Sequence, residues 1–188
     1  MKLSILIATL NEPFYINGLK RLNNILDPQI ERYSGEVEKK INDKGRSMTT
    51  GEKRNELIKG TTGEYFVFID SDDIIPVFYL DEVMNALESN PDVVTFKGYM
   101  TTDKTNRQNF FIRLGSGYFT KNGIHYRWPN HITVMKRERV QNVLFPHITK
   151  QEDYEWSKQI HNKKLLNSEV YIDKDLYIYD FISYNKRK

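Results

Sequence analysis

Tyr65-Phe66-Val67-Phe68-Ile69-Asp70-Ser71-Asp72-Asp73 is the stretch that decides the fold. Five apolar residues run without a break and end in a cluster of carboxylates. Such a run predicts a strand buried on both faces, as in a parallel sheet. In open α/β sheets, ligands bind just beyond the carboxyl ends of the strands, which is where this acidic cluster falls. Asp70 and Asp72 alternate, so they can point to one side of an extended segment. Two carboxylates held close repel unless a cation stands between them. Hard oxygen ligands suit Mg²⁺ or Mn²⁺, completed by substrate phosphates and water. The same residues also suit a plain strand-end turn with an Asp capping the next helix.

Moving outward, Lys2 to Thr9 forms a second apolar run around Ile5, Leu6 and Ile7. Pro13 then fits the first turn of a helix whose apolar positions are Ile16, Leu19, Leu22, Ile25 and Leu26. Gly35 to Ile41 reads as a strand and Asn42 to Gly45 as a turn. Gly51 to Lys59 and Leu80 to Leu87 read as helices, and Asp92 to Phe96 as a strand. From Tyr99 to Tyr126 the pattern is strand and turn. A short strand over His131 to Met135, a helix over Glu152 to Ile160, and two short strands around Val170 and Tyr177 complete the chain. Alternating strands and helices in the first half predict a mainly parallel α/β sheet, and the second half adds a small antiparallel portion. One domain is expected, with residues 1–98 as a nucleotide-binding half and 99–188 as an appended half.

Composition bounds the function. At ~150 residues per domain, 188 residues make one domain. The longest apolar run falls far short of the ~18 residues that suggest a membrane helix. The start carries no signal-peptide pattern. Cysteine is absent, which excludes disulfides and thiolate metal sites. The reading is a soluble, cytoplasmic protein. A net charge of +3 is mild, and the only tight basic run, Lys186-Arg187-Lys188, reads as a solvated tail. Aromatic residues make up 13%, with 12 tyrosines, which suits both cores and sugar-binding clefts.

Three further clusters carry chemistry. A helix starting near Gly51 offers backbone N–H groups, and Lys53 and Arg54 add cations in its first turn; a diphosphate would sit well there, although a solvated helix face is the plainer reading. Gln151-Glu152-Asp153-Tyr154-Glu155-Trp156 opens another helix. Acidic residues there are ordinary capping chemistry, yet a carboxylate held at a helix start beside a cleft is also a good general base. His131 reads as a metal ligand, a substrate contact or a satisfied polar group.

Together and in order, LSILIATLNE (3–12), Asn42-Asp43, GEKRNELIKGTTGEYFVFIDSDDIIP (51–76) and QEDYEW (151–156) resemble family 2 glycosyltransferases of the GT-A fold. The resemblance implies a three-layer, Rossmann-like domain that transfers sugar from a nucleoside-diphosphate donor, a UDP-sugar foremost, to a hydroxyl of a glycan or other acceptor. It implies that Ala8, Thr9 and Leu10 line the nucleoside pocket, with Glu12 near the base or ribose and Asp43 bonded to the base. Lys53, Arg54 and Ser71 match nucleotide contacts. Asp70 and Asp72 match the D-x-D metal motif for Mn²⁺ or Mg²⁺, with Asp72 the direct ligand. Asp153 matches the general base of inverting members. Leu10 stands where many relatives stack an aromatic ring. The shortness of the chain leaves an oligomer or a partner subunit open.

Other readings remain at this stage. A nucleotidyltransferase would open with a glycine-rich basic loop, which Thr9-Leu10-Asn11-Glu12-Pro13 lacks. A non-catalytic nucleotide-sugar or glycan-binding module of the same fold, and a phage-type sugar transferase acting on modified DNA, are the alternatives. Salt-dependent affinity for duplex would mark the last.

Overall fold

β1 (Leu3–Ala8) and β3 (Tyr65–Phe68) lie side by side and parallel, and their side chains alternate between two cores. Leu3, Ile5, Ile7, Tyr65 and Val67 join one; Leu6, Phe66 and Phe68 join the other. Period-two alternation with both faces apolar is what an unbroken apolar strand requires of its surroundings. Helices α1 (Pro13–Arg32) and α3 (Tyr79–Leu87) cover the first face through Leu22, Leu26, Leu80 and Val83. Helices α2 (Thr50–Gly60) and α5 (Glu152–Asn162) cover the second through Leu57, Ile58, Trp156 and Ile160. The result is the three-layer α/β architecture expected from the sequence.

This computed structural model describes residues 1–183 and Asn185. The Lys186-Arg187-Lys188 run lies outside the described residues. The remaining strands are β2 (Val37–Asn42), β4 (Val93–Thr102), β5 (Thr105–Ile112), β6 (Phe119–Lys121), β7 (Ile124–Arg127), β8 (Val134–Lys136) and β9 (Glu169–Phe181). A short helix α4 (Arg137–Val140) follows β8. Among the described residues the strands form one sheet in the order β2-β1-β3-β8-β4-β5-β7-β6, with β9 parallel along β4. β2, β1 and β3 are mutually parallel, β8 runs antiparallel to β3 and β4, and β5 runs antiparallel to β4 but parallel to β7. No helix among the described residues is long and apolar enough to cross a membrane.

Two local outcomes differ from the sequence reading, and one helix runs past a proline. The two strands expected around Val170 and Tyr177 are one strand. Asp173-Lys174-Asp175 breaks the apolar alternation, and β9 absorbs the break in register shifts opposite Phe96, Lys97 and Gly98. The strand expected from His131 begins only at Val134. His131 sits instead in a turn closed by bonds from the Thr133 N–H and hydroxyl to the Asn130 carbonyl. Finally, α1 continues through Pro28 to Arg32. A mid-helix proline forfeits a backbone bond. Gln29, fully buried beside it, donates to the Ile25 and Pro76 carbonyls and accepts the Leu80 N–H at 2.9 Å. One side chain thus anchors the end of α1 to the start of α3.

Asp92 ties β4 to its surroundings. Its carboxylate accepts the Asn167 N–H at 2.8 Å, the Ser168 N–H at 3.3 Å and Arg139 Nε at 2.9 Å. Burial pushes this carboxyl up, but those backbone donors and Arg139 outweigh it and hold it below the ordinary range. A depressed carboxylate stabilises the fold above its unfolded pKa, and that contribution disappears as pH falls through the folded value. Asp92→Ala is therefore expected to cost about 1–3 kcal/mol near neutral pH. The difference from the parent should shrink at ~pH 3, where the parent loses the same contribution. Urea unfolding at both pH values measures it, and a pH-independent difference would contradict the assignment.

Candidate functional site

The carboxyl ends of β1 and β3 open into a cleft of 540 Å³. Ala8, Thr9, Leu10, Lys53, Arg54, Asp70, Ser71 and Asp72 all line it. The sequence singles out each of these; Glu152, legible only as capping chemistry, lines it too, as do Tyr15, Arg46, Thr50, Lys150 and Tyr179, which carry no such signal. Asp43 lines a separate cleft of 430 Å³ beside β2, with Asn42, Lys44 and Glu56. Glu12 reaches Arg46 in a two-pronged ion pair, at 2.6 and 3.0 Å, and that guanidinium holds its carboxyl below the usual range.

Close packing shapes the floor. Thr9 Oγ1 and Ser71 Oγ share a buried hydrogen bond of 2.8 Å that joins the two strand ends. Gly18 on α1 lies against the Ser71-Asp72 turn; a Cβ there would stand 2.6 Å from the Ser71 carbonyl oxygen. Arg21 donates to the Asp72 carbonyl. From the far side Tyr177 on β9 accepts the Asp70 N–H at 3.0 Å and donates to Asp73 Oδ2 at 2.7 Å. Burial, then the charges of Asp70 and Asp72, push the Asp73 carboxyl well above its ordinary value. Asp73 is therefore a tether of the acidic loop.

The start of α2 departs from expectation. It was read as a set of free N–H groups for a diphosphate. Thr49 and Glu52 instead form a capping box, a T-x-x-E signal present in the sequence. Gly51 N donates to the Ile148 carbonyl, and Lys53 N to the Thr49 carbonyl. A Cβ on Gly51 would stand 1.9 Å from the Pro146 oxygen, so backbone fills this end of the helix. Cations reach the cleft as side chains. Lys53, almost wholly buried, donates Nζ to the Thr9 carbonyl at 2.7 Å. Burial lowers its pKa, and the nearby Asp43 and Glu12 charges work against that.

Arg54 is almost wholly buried, its side chain 4% exposed. One terminal nitrogen donates to Glu152 Oε1 and the other to Asp70 Oδ1, each at 2.9 Å. The guanidinium lies 5.5 Å from the ring centres of both Phe68 and Phe145. Burial alone would lower its pKa, but Asp70, Glu152 and Asp153 raise it. Burial likewise pushes Asp70 up, and Arg54 and His131 overcome this, keeping it ionised. Glu152 goes the other way: burial raises it despite Arg54. His131 extends the array, with Nε2 3.2 Å from Asp70 Oδ2 and Nδ1 3.6 Å from Asp153 Oδ2. Asp153 ends it at an open rim, its side chain 41% exposed. The expected base and the expected D-x-D loop thus belong to one chain of polar contacts: Glu152, Arg54, Asp70, His131, Asp153.

No three His, Asp or Glu groups converge as a metal cage among the described residues. Both oxygens of Asp70 already face a positive or polar partner, Arg54 and His131. Asp72 lines the same cleft. A Mg²⁺-like ion needs only one or two carboxylates when substrate phosphates and waters complete its shell. The donor set fits an ion brought in with a diphosphate.

Fold and cleft define an α/β protein of the GT-A class, with its ligand space at the strand ends and an acidic loop on the rim. The sequence model of glycosyl transferase family 2 matches residues 21–171, and the chain belongs to that family. Similar folds occur in S. aureus TarS. Its residues 1–349 in complex with UDP-GlcNAc superpose with a TM-score of 0.66 at 16% identity, over 96% of this chain and 58% of that one. The same fragment in complex with UDP gives 0.66 at 18% identity, over 96% and 60%. The chain therefore spans about three-fifths of the TarS fragment it matches. No curated protein sequence matches it.

The geometry of Arg54 sets a stability prediction. Arg54→Ala leaves the buried Glu152 and the half-buried Asp70 without their shared cation, which should cost about 3–5 kcal/mol. Asp153→Asn, at the open rim, should move stability by less than ~1 kcal/mol. Denaturant unfolding of the two variants distinguishes them, and equal losses would show that the array is not anchored at Arg54.

Proposed function

We propose that the protein transfers a sugar from a UDP-sugar to an acceptor hydroxyl, with inversion at the anomeric carbon and Asp153 as general base. The observation that carries this reading is the charge array, which sets an accessible carboxylate next to the D-x-D loop and the 540 Å³ cleft. Residues 1–98 supply the donor side, where Ala8, Thr9, Leu10, Lys53 and Ser71 line the cleft, with Glu12, Arg46 and Asp43 toward the base. Residues 99–188 supply Asp153 and the acceptor side. Relatives of the same fold were captured with UDP-GlcNAc and UDP, so UDP is the nucleotide to test first.

The sugar passes through an oxocarbenium-like transition state while the diphosphate leaves. Lys53 brings positive charge to the cleft, and Arg54 keeps Asp70 ionised behind it. Asp72, with Asp70 adjacent, would hold a Mn²⁺ or Mg²⁺ ion that neutralises charge on the leaving diphosphate. Asp153 takes the proton of the attacking hydroxyl, and His131 positions its carboxylate from behind.

Two variants test the assignment. Asp153→Asn should bind UDP as the parent does, while kcat for transfer from a UDP-sugar falls ~10²–10⁴-fold. Transfer at near parental rate, or product that retains the donor's anomeric configuration, would overturn the mechanism. Asp72→Asn should remove the Mn²⁺-dependent part of UDP affinity in calorimetry. A binding module without turnover would bind UDP yet release no sugar in the parent protein.

A further inference from the structure

The ion pair between Glu12 and Arg46 stands at the rim of the donor cleft. Glu12 occupies the N-cap position of α1, yet its carboxylate makes no cap bond to that helix. At the start of α2 a short hydroxyl residue, Thr49, performs that duty. Glu12 reaches instead to Arg46, accepting from Nε at 2.6 Å and from a terminal nitrogen at 3.0 Å. The pair therefore joins the loop after β1 to the loop after β2. Thr9 and Leu10 line the cleft from the first side and Arg46 from the second. Arg46 rides on a single 3₁₀ turn, Gly45–Ser47, between β2 and α2. The bonds of that turn are local: Gly45 N donates to the Asp43 carbonyl and the Ser47 hydroxyl to the Lys44 carbonyl, each at 2.6 Å.

Two features suit this pair to exchange. It is exposed, the Arg46 side chain at 73% and that of Glu12 at 39%. An ion pair held in water contributes little net free energy, so it parts readily. Arg46 also faces the same space as Lys53: burial lowers the Lys53 pKa, and of the nearby charges Asp43 opposes this while Arg46 adds to it. Two cations thus share one end of the cleft, and Glu12 occupies the outer one. A diphosphate offers oxygens that suit the guanidinium fork as well as a carboxylate does. We propose that Glu12 is a built-in competitor of the donor, holding Arg46 until the phosphates of a nucleoside diphosphate take the guanidinium over. Arg46 then reads the phosphates, and Glu12 sets the threshold for entry. The inference rests on the nucleotide-sugar reading of the cleft and adds regulation of that site by a carboxylate of the chain itself. A passive strap between the two loops is the contrary reading, in which both partners help the ligand by keeping the loops in place. Exchange is favoured because the pair lies in water and because the turn carrying Arg46 ends before the Thr49-Glu52 capping box, so Arg46 can swing without disturbing α2.

Calorimetric titration of UDP and uridine into the full chain tests the exchange, with ionic strength held fixed. Both side chains are exposed, so Glu12→Gln and Arg46→Gln should fold as the parent does. Arg46→Gln should weaken UDP about tenfold and leave uridine unchanged. Glu12→Gln should move UDP the other way and tighten it several-fold. In the double variant the gain from Glu12→Gln should vanish, because it acts only through Arg46. Weaker UDP binding in both single variants would reveal a strap and overturn the proposal. Equal losses for uridine and UDP in Arg46→Gln would overturn it too, since Arg46 would then read the nucleoside. With UDP bound equally by the parent and both variants, the competition falls and the donor site stands. A parent protein that binds no UDP removes both readings.

Discussion

Arg54 carries a permanent charge into a space almost closed to water, and two carboxylates meet it there from 16 and 98 positions away. Such a pairing is poor as a source of net stability, because all three ions lose hydration. Its strength is in geometry. A planar guanidinium with fixed donor directions admits few arrangements of its partners. It packs against the Phe68 and Phe145 rings, which touch each other edge to face. The end of β3 and the start of α5 are therefore tied to each other through one side chain on α2.

The cleft shows a division of labour among its charges. The buried members, Arg54, Glu152, Asp73 and Lys53, are held by protein partners and give shape. Asp72 lines the cleft and Asp153 stands at the open rim. His131 links the two populations, since it touches Asp70 on one side and approaches Asp153 on the other.

The parallel sheet could be read from the chain because β1 and β3 are unbroken apolar runs, a pattern with few other homes. The acidic loop was legible from its place after β3. Arg54 is legible as a cation in a first helical turn suited to a diphosphate, but its ion pairs are not. Its partner Glu152 lies 98 residues on, and no local pattern encodes that meeting. Glu152 itself looked like capping chemistry beside Asp153. The closed start of α2 is encoded locally, in the T-x-x-E spacing of Thr49 and Glu52. The single β9 strand was hidden by Asp173-Lys174-Asp175, three charges whose accommodation depends on β4 alongside. Arg46 and Tyr179 carried no signal of their own and enter the cleft only through the fold.

Tyr177 and the Asp180 N–H hold Asp73 from 104 and 107 positions further along the chain. Protein synthesis proceeds from the other end. While the ribosome is still making β9, the sheet around β1 and β3 can already be collapsed, yet the acidic loop has no tether on that side. A half-made chain thus exposes a strand edge on β4 and an untethered acidic loop, a state prone to wrong pairings. The acidic loop is tethered by a segment made 104 residues after it, so a nascent chain lacks that tether until β9 has emerged.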